Sequence, residues 1–186
     1  MLSKLSSFVL ATSALEPNPP SWDTDHVKVF EPNDLDAQSI LDQIHSTQGG
    51  MDPINNGQFN SNRYALLFKQ GQHNVNVDIG YYVSVHGLGR SPTDTTLGNM
   101  MVLNSAYDFT IGALNNFWRS AENVHVVPQG GPMIWAVSQA SPLRRTVIDG
   151  DLSLFHYTGG PAAGYASGGY MADVKVNGKI SSGSQQ

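Results

Sequence analysis

Phe117-Trp118-Arg119-Ser120-Ala121-Glu122-Asn123-Val124-His125-Val126 decides how the chain is read, because later segments echo its end. Val124-His125-Val126 alternates apolar and polar, and Val147-Ile148 and Val174-Lys175-Val176 return to the same pattern. By subtraction of positions 124, 147 and 174, the intervals are 23 and 27 residues. Turns rich in Gly, Asn and Ser lie between. A short strand that recurs every two to three dozen residues is the mark of a solenoid of β coils. Coils wound in register stack equivalent side chains about 4.8 Å apart. Residues distant in sequence then share one outer wall, and a binding surface would lie there.

Composition supports this reading. The 186 residues suffice for one domain, charged residues make up 13%, and glycines number 19. That balance suits many turns and short strands better than long helices. A net charge of −5, with Arg144-Arg145 as the one basic cluster, argues against a nucleic-acid partner and against an anionic membrane surface. Cysteine is absent, which excludes disulfides, thiolate metal sites and a cysteine nucleophile. No apolar run approaches the roughly 18 residues of a membrane span. The six histidines are scattered without ligand spacing, so neither a metal nor a cofactor is expected. Nothing in the sequence sets an oligomeric state.

Residues 1–25 read as a secretory signal over residues 1–14, with a disordered tail as the alternative, and the proline linker Glu16–Ser21. Residues 26–186 read as the coils. His26–Phe30 alternates and forms a first strand, and Asn33 or Asp34 then caps a helix through Ile44. Leu35, Ile40, Leu41 and Ile44 share one face of that helix, which would cover the first coil's open edge. Further strands are expected at Tyr64–Phe68, Asn74–Ile79, Tyr81–Val85, Met101–Leu103, Phe109–Ile111, Ile134–Val137, Leu152–Leu154 and Tyr170–Met171. The final Gly178–Gln186 shows no closing cap, so the chain is expected to be the first part of a longer helix.

Tyr64–Lys69, Gly80–Gly89, Asn116–Asn123, Trp135–Ala140 and Gly178–Gln186 together resemble a set of secreted actinobacterial and fungal proteins of the pectin-lyase-like group. Members carry labels such as coagulation factor 5/8 type domain protein or adenylyl cyclase, although nothing here resembles a discoidin jelly roll or a cyclase site. The resemblance implies a right-handed parallel β-helix, an all-β fold with one N-terminal capping α-helix, extracellular location and a polysaccharide partner. It also implies carbohydrate processing, with hydrolysis favoured over lyase chemistry. Many β-helix glycosidases open with a Gly-Asp-Gly signature; Phe30-Glu-Pro-Asn-Asp-Leu-Asp36 stands in its place.

Glycoside hydrolysis needs two carboxyl groups, roughly 5–5.5 Å apart for retention and 6.5–9.5 Å for inversion. Aligning the echoed strands on Val124, Val147 and Val174 stacks Asn123, Thr146 and Asp173, with Glu122, Arg145 and Ala172 beside them. Asp173, on a strand, is the leading catalytic candidate. Asp149, Asp151 and Glu122 complete the set, although Asp149-Gly150-Asp151 also reads as an ordinary turn and Glu122 as half of an ion pair. Asn123 would suit an amide ladder between coils. Arg119 and Arg145 are candidates to bind an acidic sugar, and Trp118, Trp135, Tyr157, Tyr165 and Tyr170 to stack on sugar rings. Trp118 and Trp135 serve equally as core residues. Gly87-Leu88-Gly89 lacks the third glycine and helix of a phosphate loop. A carbohydrate-binding or adhesion solenoid without catalysis, or an inactive fragment of a longer enzyme, is the alternative to hydrolysis.

Overall fold

Parallel pairing between non-consecutive strands governs the architecture. The computed structural model describes residues 23–49, 55–103, 112–113, 116–156, 165–166 and 168–183. Strand β1 (Val27–Phe30) leads into helix α1 (Ala37–Gln48). Then come β2 (Tyr64–Phe68), β3 (Gly71–Asp78), β4 (Val83–Gly87) and, past a 3-10 turn at Pro92–Asp94, β5 (Thr95–Met101). Short strands follow: β6 (Gly112–Ala113), β7 (Ser120–Glu122), β8 (His125–Val126) and β9 (Met133–Ile134). The remaining ones are β10 (Pro142–Arg144), β11 (Val147–Ile148), β12 (Leu152–Ser153), β13 (Tyr165–Ala166), β14 (Tyr170–Ala172), β15 (Lys175–Val176) and β16 (Ile180–Ser181).

Three parallel sheets run along the stack. The first orders β1-β2-β4-β7-β10-β14, the second β3-β5-β8-β11-β15 and the third β9-β12-β16, with β6 and β13 forming a fourth small pair. This is a parallel β-helix-like chain, mostly β with one α-helix among the described residues. Alternation places Leu66, Val85, Ala121 and Leu143 of the first sheet inside, facing Leu97, Val126 and Ile148 of the second and Met133 and Leu152 of the third. All are buried, and removing such a side chain typically costs about 2–5 kcal/mol.

The register corrects the alignment of the echoed valines. Val147 pairs with His125 and Lys175, and Ile148 with Val126 and Val176. Counting back, Thr146 stands beside Val124 and Val174, and the stacked column is Asn123–Arg145–Asp173. Glu122, Arg144 and Ala172 form the column before it, fixed directly by strand pairing. The middle coil is therefore displaced by one residue from the expected alignment. Val124 is a buried corner residue, whereas Val147 lies on the half-buried outer side of β11.

The helix also differs from expectation. It starts at Ala37 rather than beside Asn33, and Leu35 is 98% exposed outside it. Asp34 instead accepts the Glu31 backbone N–H at 2.7 Å, closing the turn that precedes the helix. Ala37, Leu41, Ile44 and Gln48 form the buried face. Gln48 clasps the coils: its amide donates to the Tyr81 carbonyl at 2.8 Å, and the Tyr81 N–H donates to the Gln48 carbonyl at 2.5 Å. Under the helix, burial pushes Asp78 up and His45 down from their ordinary values. Strand β3 begins at Gly71, three residues ahead of the expected Asn74, and the strand expected at Phe109–Ile111 lies outside the described residues.

Candidate functional site

The outer face of the first sheet carries Glu122 and Tyr170 among the candidates, and the corners beside it carry Trp118, Arg145 and Asp173. One outward column runs His86, Glu122, Arg144 and Ala172, and its neighbour runs Ser84, Ser120, Pro142 and Tyr170. At one coil spacing, Glu122 stands between an imidazole and a guanidinium, about 4.8 Å from each along the stack. Among the described residues, no ion pair within 4 Å joins it to either. Tyr170 is 60% exposed at the end of the second column.

Two corners flank this wall, and both bend through the left-handed backbone region. Before the strands lie Tyr82, Trp118 and Ala140, with φ of 59°, 54° and 55°; after them lie Asn123, Arg145 and Asp173, with φ of 60°, 46° and 54°. Non-glycine residues visit this region uncommonly, at roughly 1–2 kcal/mol each. Its recurrence at the same coil position marks it as the way this chain turns between sheets.

The first corner is aromatic. The Tyr82 and Trp118 rings stack at 5.3 Å with an interplanar angle of 4°. The Arg63 guanidinium covers the Tyr82 ring at 3.4 Å, and the Tyr82 hydroxyl donates to the Gln58 carbonyl at 2.9 Å. Trp118 is 39% exposed. Alongside it a depression of about 290 Å³ runs over three coils, lined by Tyr82, Ser84, Trp118, Ser120, Ala140 and Pro142 among others. Stacking of this kind is worth about 0.5–1.5 kcal/mol beyond area burial and fixes each plane.

The second corner is polar. Asn123 is buried and donates to the carbonyls of Gly87 and Gly89 at 2.8 and 2.7 Å. A side chain at Gly87 would place its Cβ 2.0 Å from the Asn123 carbonyl oxygen, so only glycine fits beneath this turn. Gly87-Leu88-Gly89 thus serves the corner, and the amide contact does not extend as a ladder, because Arg145 and Asp173 follow Asn123 in the column. Arg145 is exposed and donates to the Arg90 carbonyl at 3.4 Å. Asp173, expected on a strand, lies in the bend between β14 and β15, where the chain leaves one sheet for the next.

The remaining candidates separate from the wall. Asp149 and Asp151 occupy the bend between β11 and β12. Asp149 accepts from the Asn177 amide and lies 2.8 Å from His125 Nε2, whose Nδ1 lies 3.2 Å from Thr96 Oγ1. The Asn177 hydrogen bond first, and His125 second, hold the Asp149 carboxyl below its ordinary value. Asp151 accepts the Lys179 backbone N–H at 2.8 Å. The column of Asp149 passes through Asn177, four residues or about 13 Å of extended chain from Asp173. The carboxylates therefore divide into a wall group, Glu122 and Asp173, and a turn group, Asp149 and Asp151.

Arg119 corrects the expectation of a sugar-binding cation. It is only 4% exposed, donates to the Ile79 and Phe117 carbonyls at 2.7 and 3.1 Å, and lies 4.6 Å from the Tyr81 ring. Burial pulls its guanidinium down to about 10. Trp135 is a core residue. Tyr165 begins β13, and Tyr157 lies outside the described residues. Arg63, Tyr82 and His86 carry no signal of a site in the sequence: pairing of Tyr64 with Val83 and Ser84 with Ser120 brings together residues up to 36 positions apart. Among the described residues no three His, Asp or Glu side chains converge as a metal would require.

No protein-family model matches the chain. Its parallel coils nevertheless have close counterparts among solved structures. The structure of sacteLam55A from Streptomyces sp. SirexAA-E matches with a TM-score of 0.75 at 44% identity, covering 87% of this chain and 28% of that one. A glutamate-to-alanine variant of sacteLam55A in complex with glucose matches with 0.74 at 42% identity, covering 87% and 27%. In sequence the chain is 41% identical over 162 residues to the exo-beta-1,3-glucanase of Streptomyces sp. (strain SirexAA-E / ActE), covering 87% of this chain and 25% of that protein. The chain spans about a quarter of the length of these relatives.

Proposed function

We propose that this protein hydrolyses a polysaccharide, with β-1,3-glucan as the first candidate, and that the outer wall of the first sheet faces the sugar. The observation that carries this reading is identity above 40% across nearly nine-tenths of the chain with a glucanase. The wall adds chemistry suited to sugar: an exposed indole, serines, and a carboxylate flanked by an imidazole and a guanidinium. Glu122 and Asp173 are the pair we assign to the reaction. Their columns adjoin and their coils are two spacings apart, about 9.6 Å, which suits water-mediated inversion at roughly 6.5–9.5 Å once the side chains lean together. Arg145, beside Asp173, and Arg144 would orient hydroxyls of the sugar. Right-handed winding, membership of the pectin-lyase-like group and secretion belong to the same reading; parallel crossovers are right-handed in nearly every case.

Reducing-sugar release by the full-length protein from β-1,3-, β-1,4- and α-1,4-glucans tests it, beside Glu122→Gln and Asp173→Asn. Release from the β-1,3-glucan that both substitutions abolish, with circular dichroism unchanged, is the expected result. Undiminished release in both variants removes the pair. The tethered Asp149 and Asp151 favour a second reading, in which the wall binds sugar and the chain makes no cut. Binding without any release by the unsubstituted protein would establish that second reading.

A further inference from the structure

The aromatic corner contains a stacking ladder with one rung missing. Strand register makes Arg63, Tyr82, Trp118 and Ala140 successive occupants of one corner position on four coils. Backbone bonds agree: the Tyr82 N–H donates to the Trp118 carbonyl, and the Arg119 N–H to that of Ala140. The first three occupants are flat groups, stacked at 3.4 and 5.3 Å. Tyr82 is anchored through its hydroxyl and fills one side of the indole. On the next coil, where a fourth flat group would rest, there is only the methyl of Ala140, and the depression that runs from Tyr82 and Ser84 past Trp118 extends to it. Phe117 meets the indole inclined at 46° and does not complete the stack.

We propose that this gap is a saccharide-binding slot in which one pyranose ring of a β-linked glucan lies against Trp118 in the place of the missing rung. A β-glucopyranose carries every hydroxyl equatorially, so its faces present C–H groups to an aromatic plane while its rim remains polar. Ser120 lies at the floor and Glu122 two residues along the same outward side of β7, which puts oxygen acceptors at the rim. Because Tyr82 and Arg63 hold the indole in place, the ring meets a plane already oriented, and little side-chain freedom is lost on binding. The choice of a β-glucan rests on the proposed function; the slot itself rests on the ladder.

Calorimetric titration of the chain with a β-1,3-linked glucose pentamer tests the slot. Trp118→Ala is expected to weaken binding about tenfold, the scale of one stacking contact. Ala140→Phe supplies the missing ring at a backbone position where Tyr82 and Trp118 already sit, so it should weaken binding about tenfold while the melting temperature holds or rises. An α-1,4-linked pentamer should bind about tenfold more weakly. Wild-type affinity in Ala140→Phe, or no binding of the β-1,3 pentamer by the unsubstituted chain, overturns the slot even if glucan hydrolysis is found. Intact binding that Trp118→Ala and Ala140→Phe both weaken, with no hydrolysis by the full-length protein, preserves the slot and overturns the proposed reaction.

Discussion

The two corners that flank the first sheet share a backbone shape and differ in what their side chains are left to do. At Asn123 the left-handed turn aims an amide inward, where two carbonyls of the preceding coil consume it. At Trp118 the same turn leaves an indole 39% exposed, stacked on the Tyr82 ring below. A strained φ is therefore no pointer to function in this chain, since it recurs on coil after coil. The side chain is available for a ligand only where the corner does not need it for its own hydrogen bonds.

The sharpest way to break this contrast is Gly87→Ala. A methyl group 2.0 Å from the Asn123 carbonyl oxygen meets backbone rather than a yielding side chain. The expected loss is about 3 kcal/mol or more, read as a lower urea midpoint. Asn123→Ala follows, because it strands two carbonyls within the coil; about 2–3 kcal/mol should be lost by the same measurement. If as much is lost at Trp118→Ala, the two corners are alike and the contrast fails. Arg145→Gly should instead gain about 0.5–1 kcal/mol, since glycine adopts φ of 46° freely and a single long hydrogen bond is given up.

The smallest effect concerns the turn carboxylate. Asp149 has a lowered pKa, so its stabilising contribution is fully present above 3.8 and fades as pH falls through the lower native value. Carboxyl chemical shifts should titrate below 3.8 for Asp149, and Asn177→Ala should move that midpoint upward. An unchanged midpoint would show that Asn177 does not hold the charge.

Much of the architecture is legible from alternation. Tyr64–Phe68 and Val147–Ile148 read as strands where strands occur, and the parallel stacking follows from their recurrence. Register is harder, because each corner inserts a residue that interrupts alternation. Val124 and Val147 look equivalent as letters, yet one is turned into the core at a corner and the other stands on an outer strand position. Ser120–Glu122 and Pro142–Arg144 give no strand signal, since three residues are too few to show a period. The site suffers from the same shortness. Trp118 stands out by residue type alone, but Tyr82 and Arg63 join it only through register, and Arg119 is enclosed by neighbouring coils that its own segment does not reveal.

Because every strand of the three sheets bonds only to the strand above and the strand below, a substitution on the outer wall is felt chiefly by two adjacent turns of the winding. Such a wall can be rewritten one shelf at a time. A change in what the wall recognises would then require exchanging single outward residues, with the interior left untouched.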